Sequence, residues 1–155
     1  MTKHLRLLML ALLAIICTGG VKAAVGDTYK LVTSVDELKA GDVIVIGCSA
    51  NQRALGTEAK KSKFLGVAVS ISNGVLTYTD KLAEFEIEIP NDNQYFFKNS
   101  DGKYLLSKAD SKLTLDDKDD AYYATISINA KKNATICYPK TNKKYYIKYN
   151  TSGNY

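Results

Sequence analysis

Tyr95-Phe96-Phe97-Lys98-Asn99-Ser100-Asp101-Gly102-Lys103-Tyr104-Leu105-Leu106 is a strand, a polar turn and a second strand in twelve residues. Aromatic side chains favour extended backbone, and Asp-Gly favours the left-handed conformation that a tight turn demands. A hairpin is predicted here. A second is predicted at Asn73-Gly74, between Val67-Ala68-Val69-Ser70-Ile71 and Val75-Leu76-Thr77-Tyr78. Working outward, Val43 to Cys48 is a continuous apolar run, while Phe85-Glu86-Ile87-Glu88-Ile89 and Thr125-Ile126-Ser127-Ile128 alternate apolar and polar. Alternation at period two gives a strand one dry and one wet face. Helical periodicity is nearly absent. One short helical turn is predicted near residues 34 to 40, where Ser34 and Glu37 form a capping box and Ala40-Gly41 ends it.

These pieces recur. A strand, a polar turn and an apolar pair are found as Val43 to Gly47 with Ala54-Leu55, Tyr95 to Lys98 with Tyr104-Leu105, and Ala134 to Tyr138 with Tyr146-Ile147. In the first two units a hairpin-like strand follows (Gly74 to Thr79, Lys112 to Leu115), then an alternating one (Phe85 to Ile89, Thr125 to Ile128). Four strands per unit in three units outline an all-β fold, a β-trefoil-like closed barrel of short strands and hairpins. The third unit reads as truncated, because after Tyr145 to Tyr149 and the turn Asn150-Thr151-Ser152-Gly153 its last two strands are missing. Either the early strand Tyr29 to Thr33 closes the barrel differently, or the reading frame is clipped.

Residues 1 to 23 read as an export signal: Lys3 and Arg6 at the start, an apolar stretch from Leu7 to Cys17, and a small-residue exit at Val21-Lys22-Ala23. The apolar stretch is shorter than the roughly 20 residues needed to span a bilayer. Cleavage after Ala23 leaves residues 24 to 155 as a single all-β domain, periplasmic or extracellular. Lipidation at Cys17 is the weaker alternative, since Ile16 stands where a small residue is wanted. Cleavage also removes His4, the one histidine of the chain. That excludes imidazole-based triads and histidine-containing metal sites from the mature domain. Cys48 and Cys137 remain, each within an apolar strand-like run, where a free thiol acts as a small buried hydrophobe.

Charge sharpens the reading. The whole chain carries a net +5, but residues 24 to 155 hold 18 basic against 16 acidic groups, net +2. Residues 24 to 130 hold 12 basic and 16 acidic groups, whereas residues 131 to 155 hold six lysines and no carboxylate. Such asymmetry favours an anionic partner. Within that segment Lys140, Lys143, Lys144, Tyr146 and Lys148 form the candidate ligand-binding surface. Ammonium groups engage acidic groups there, and an aromatic face stacks on a sugar or a base. Strand parity sends Tyr145, Ile147 and Tyr149 to the opposite, core-facing side. The bland alternative is a lysine-rich edge that only blocks aggregation.

Elsewhere the acidic residues read as scaffold. Asp116-Asp117-Lys118-Asp119-Asp120 lacks the glycine turn and distal glutamate of a calcium loop and is predicted to be a solvated connection. Glu84, Glu86 and Glu88 are predicted on the wet face of their strand. No catalytic, cofactor or metal residues are assigned.

Tyr29-Lys30-Leu31-Val32-Thr33-Ser34 followed by Asp36-Glu37-Leu38-Lys39-Ala40-Gly41-Asp42-Val43, together with Gly102 to Leu105 and Tyr149-Asn150, resembles a small exported β-rich domain of Bacteroidota secreted proteins. The resemblance spans most of the mature chain and implies a β-trefoil-like module, alone or appended to secreted hydrolases and nucleases, without catalytic residues to carry over. The expected function is an exported non-catalytic binding module that contacts a glycan or a cell-envelope or host surface. The alternatives are an accessory nucleic-acid-binding module and a structural or partner-docking protein acting through an exposed strand edge.

Overall fold

The computed structural model describes residues 24–60, 63–109, 112–149 and 155, and the backbone of 11–15. Its strands are β1 (Ala11–Ile15), β2 (Thr28–Leu31), β3 (Val43–Cys48), β4 (Arg53–Lys60), β5 (Lys63–Ala68), β6 (Ile71–Ser72) and β7 (Val75–Thr77), followed by β8 (Phe85–Asn91), β9 (Gln94–Lys98), β10 (Tyr104–Ala109), β11 (Lys112–Asp116), β12 (Thr125–Ile128), β13 (Ala134–Lys140) and β14 (Lys143–Tyr146). The only helical segments among the described residues are three-residue 3-10 turns, so the fold is all-β as predicted. None is long and apolar enough to cross a membrane.

Two sheets form. The larger runs β11-β10-β9-β8-β3-β1-β2-β7-β6, with β4 paired to β3 and β5; the smaller is β12-β13-β14. Among the described residues the larger path is open from β11 to β6. The three predicted recurring hairpins are each present: β3 meets β4 at Gly47 and Ala54, β9 meets β10 at Lys98 and Tyr104, and β13 meets β14 at Cys137 and Tyr146.

Most predicted strands form where the alternation places them. Asn73 and Gly74 take positive φ angles of 51° and 74°, joining Ser72 to Val75 in a two-residue turn. The capping box forms too: Asp36 N donates to Ser34 Oγ and Ser34 N donates to Glu37 Oε1 around the 3-10 turn Val35–Glu37. Two turn predictions need correction. The strand expected over Val67 to Ile71 breaks after Ala68, because Gln52, itself left-handed, uses its side-chain amide to bond both the N–H and the C=O of Ile71. The Asp101-Gly102 turn is not a two-residue loop. Tyr104 pairs with Lys98, and Asn99 Oδ1 accepts from the N–H groups of Asp101 and Lys103, closing a five-residue connection.

One apolar core joins the sheets. Ile44, Ile46, Phe85, Ile87 and Phe97 of the larger sheet pack with Ile126, Ile136 and Tyr138 of the smaller. The Tyr138 hydroxyl, buried between them, donates to Leu105 O at 2.6 Å. A second cluster, including Tyr29, Val45, Ala54 and Leu76, covers the other face of β3. That strand is therefore dry on both sides, which is why its sequence is continuous rather than alternating.

The export-signal reading meets one unexpected feature. Ala11–Ile15, inside its apolar stretch, forms the strand between β2 and β3. The cleavage site at Ala23 and the predicted turn at 150–153 lie outside the described residues.

Candidate functional site

The lysine and tyrosine segment folds as the β13–β14 hairpin. Lys140 pairs with Lys143 across the turn Thr141-Asn142, Pro139 with Lys144, and Tyr138 with Tyr145. The predicted parity holds. Ile147 and Tyr149 are buried and Tyr145 packs against the core, while Lys144, Tyr146 and Lys148 are exposed. Tyr146 is 41% exposed, the only aromatic residue among the large exposed hydrophobics of the described chain. Lys148 Nζ stands 5.3 Å from its ring centroid. Lys143 and Lys144 are exposed at the hairpin tip.

Lys140 parts from the group. Its ammonium lies 2.9 Å from the centroid of the Tyr122 ring and donates to Ala121 O at 3.2 Å. The last residue of β13 thus reaches the 3-10 turn Asp120–Tyr122, and the open surface narrows to Lys143, Lys144, Tyr146 and Lys148.

A second lysine and aromatic assembly, missed by sequence reasoning, covers the β9–β10 hairpin. Phe96, Tyr104 and Leu106 form a small cluster with Tyr122 and Tyr123 packed against it. Lys118 Nζ lies 4.6 Å from the Phe96 centroid and pairs with Glu88 at 2.7 Å. Glu88 also accepts from the Tyr104 hydroxyl at 2.7 Å. Burial alone would push the Glu88 carboxyl up, but the hydrogen bonds from Lys118 and Tyr104 outweigh it and hold it below its ordinary value. Burial and the Glu88 carboxylate push the Tyr104 phenol up to about 12.

The acidic run supplies this assembly. Asp116 pairs with Lys108 at 2.8 Å, Asp117 pairs with Lys103 at 2.7 Å, and Asp119 caps the 3-10 turn by accepting from Ala121 N. The run is the solvated connection expected between β11 and the 3-10 turn, and three of its carboxylates, Asp116, Asp117 and Asp119, find partners at the surface. Glu84 and Glu88 depart from a purely wet face, since Glu84 accepts from the Tyr29 hydroxyl. The signal that could have found them is the match between lysines at 103, 108 and 118 and carboxylates at 88, 116 and 117. Spacing along one chain does not say which loops return to which strands.

A cleft of about 430 Å³ opens near the start of β3 and β8, lined among others by Phe64, Tyr78, Leu82, Phe85, Glu86 and Lys98. Its aromatic residues are buried, with Phe85 1% and Tyr78 6% exposed. The walls offer mixed charge without an open ring face, unlike Tyr146. Among the described residues no group of three or more histidine, cysteine or acidic side chains gathers to hold a metal.

Cys48 and Cys137 are buried and unpaired, as the hydrophobic reading expected. Burial raises the Cys48 thiol pKa, and Sγ donates to Asn51 Oδ1 at 3.1 Å. A thiol held protonated is a poor nucleophile.

No family model, curated protein or solved structure matches this chain, so its functional reading rests on its own geometry.

Proposed function

We propose that this protein is an exported, non-catalytic binding module that grips acidic glycan on a cell-envelope or host surface through its last hairpin. The observation that carries the reading is Tyr146, an exposed aromatic residue with the Lys148 ammonium over its ring and Lys143 and Lys144 at the adjoining tip, in a segment without acidic side chains. An exposed ring stacks on the apolar face of a sugar, and ammonium groups engage its carboxylate or sulfate. The lysine that turns away, Lys140, serves Tyr122 instead.

The same reading includes export by residues 1 to 23 with release after Ala23, a trefoil-like arrangement, and kinship with small secreted domains of Bacteroidota. The three recurring hairpins support the trefoil. The charge pattern and small-residue exit of the leader support export. Residues 24 to 155 contain no histidine, which supports binding over acid–base chemistry.

Titration against neutral, carboxylated and sulfated oligosaccharides tests the function. We expect binding to the acidic classes, weakened about fivefold or more by Tyr146→Ala, in line with the ~1 kcal/mol of an aromatic stacking contact. No binding to any class sinks the glycan reading. Binding to single-stranded nucleic acid, with affinity falling steeply in salt, would turn the reading to the accessory nucleic-acid module, because each phosphate contact releases about one counterion.

A further inference from the structure

β1 occupies an unusual place. It is antiparallel to β2, through Leu13 opposite Leu31 and Ala14 opposite Lys30, and antiparallel to β3, from Ala11 opposite Gly47 to Ile15 opposite Val43. β2 and β3 therefore run parallel to each other, separated by two ladder spacings or roughly 10 Å. Among the described strands, β1 is the only ladder link between the β2-β7-β6 ribbon and the rest of the sheet. Ala11–Ile15, within the proposed leader, is thus the strand that joins the two parts.

Without β1, one edge of β3 has no ladder partner along Ile44, Val45 and Ile46, residues that are 0% exposed when β1 is in place. Each buried backbone group left unpaired costs about 1–3 kcal/mol. With both faces of β3 covered by apolar clusters, the vacated edge is a narrow slot whose backbone groups a strand satisfies along its whole length. The other described strands already have ladder partners. A replacement must therefore be an extended, uncharged segment, apolar on both faces and free of proline. Ala11-Leu12-Leu13-Ala14-Ile15 has that composition.

We propose that the gap between β2 and β3 is a strand-acceptor site for an apolar segment of a partner chain, which residues 11 to 15 fill until the leader is removed. The recognition is β-augmentation, with main-chain hydrogen bonds on both sides of the donor and apolar contacts above and below it. This inference rests on the export reading for the removal of the leader, and it goes beyond glycan binding.

The test starts from the full chain, purified with its leader and carrying a site-specific protease sequence after Ala23. After cutting, the leader fragment is expected to co-elute with the domain and to be displaced by excess peptide Met9–Cys17, but not by its Leu13→Pro variant. Hydrogen exchange at residues 43–47 should quicken by roughly 100-fold or more when the fragment is stripped, and slow again on adding the peptide. If the stripped domain precipitates, rescue by the peptide supports the site and failure of rescue overturns it. The proposal is also overturned if the fragment leaves while those amides stay protected, if the proline variant works equally well, or if the stripped chain pairs with itself and refuses the peptide. Leader processing in cells is scored separately, so retention there would count against export without altering the result on the slot.

Discussion

The β9–β10 and β13–β14 hairpins occupy corresponding places in two recurring units and carry similar side chains, yet one closes over its aromatic groups and the other leaves a ring in solvent. Over β9–β10, Lys118 caps Phe96, and Glu88 fixes both Lys118 and Tyr104. On β13–β14 the lysines have no carboxylate within residues 131 to 155, and Tyr146 stays open. A cation and an aromatic ring are scaffold where a carboxylate neutralises the cation and a neighbouring loop covers the ring. The same pair without those additions is available to a ligand.

The largest expected effect breaks the closed side. Phe96→Ala should cost about 3–5 kcal/mol of stability, the usual loss for a buried phenylalanine, whereas Tyr146→Ala should stay within about 0.5 kcal/mol. Urea denaturation of both variants measures this; equal losses would erase the distinction between the hairpins.

Next comes the alkaline limb. Burial raises the phenol pKa of Tyr29, Tyr78, Tyr95, Tyr104, Tyr138 and Tyr155, with Tyr104 at about 12. A pKa higher in the folded chain than in the unfolded one contributes stability that is complete below the ordinary value of 10.0 and is lost progressively as pH rises from there through the folded value, about 12 for Tyr104. Denaturation midpoints should therefore fall steeply above about pH 10, and Tyr104→Phe should lessen the slope. A flat alkaline profile would contradict the packing of these rings.

The smallest effect concerns Glu88. Its folded pKa is lowered, so its contribution is present at neutral pH and is lost as pH falls through the ordinary carboxylate value near 4.5 toward the lower folded value. The Glu88 and Lys118 side chains are 29% and 37% exposed, so solvent screening limits the effect to about 1 kcal/mol or less. Glu88→Gln should flatten the acid limb of a stability profile by that amount. Lys144→Gln on the open hairpin should leave the limb unchanged, and an equal change in both would mean that Lys118 is no better anchored than Lys144.

Residues with a local signal were legible. The continuous run Val43 to Cys48, the alternation Phe85 to Ile89 and the Asn73-Gly74 turn each express a rule that works within a few residues. Asp101-Gly102 misled because the Asn99 side chain organises a longer loop around it. The run Val67 to Ile71 misled because Gln52, distant in sequence, takes the backbone groups of Ile71. At the candidate site, parity separated Tyr146 from Tyr145 and Ile147, but the departure of Lys140 depended on where Tyr122 came to rest.

By itself the sequence determined the all-β class, the continuous apolar strand Val43 to Cys48, the repeated hairpins and the gathering of lysines at one end. These follow from side-chain period, turn chemistry and charge, all of them properties of neighbouring residues. Tertiary structure alone decided that the carboxylates at 88, 116 and 117 neutralise the lysines over β9–β10, that Lys140 leaves its neighbours for Tyr122, and that Ala11–Ile15 lies between β2 and β3. Those outcomes depend on which distant segments meet, and the free energy of meeting is set by the shared core and by backbone groups that must find partners away from water.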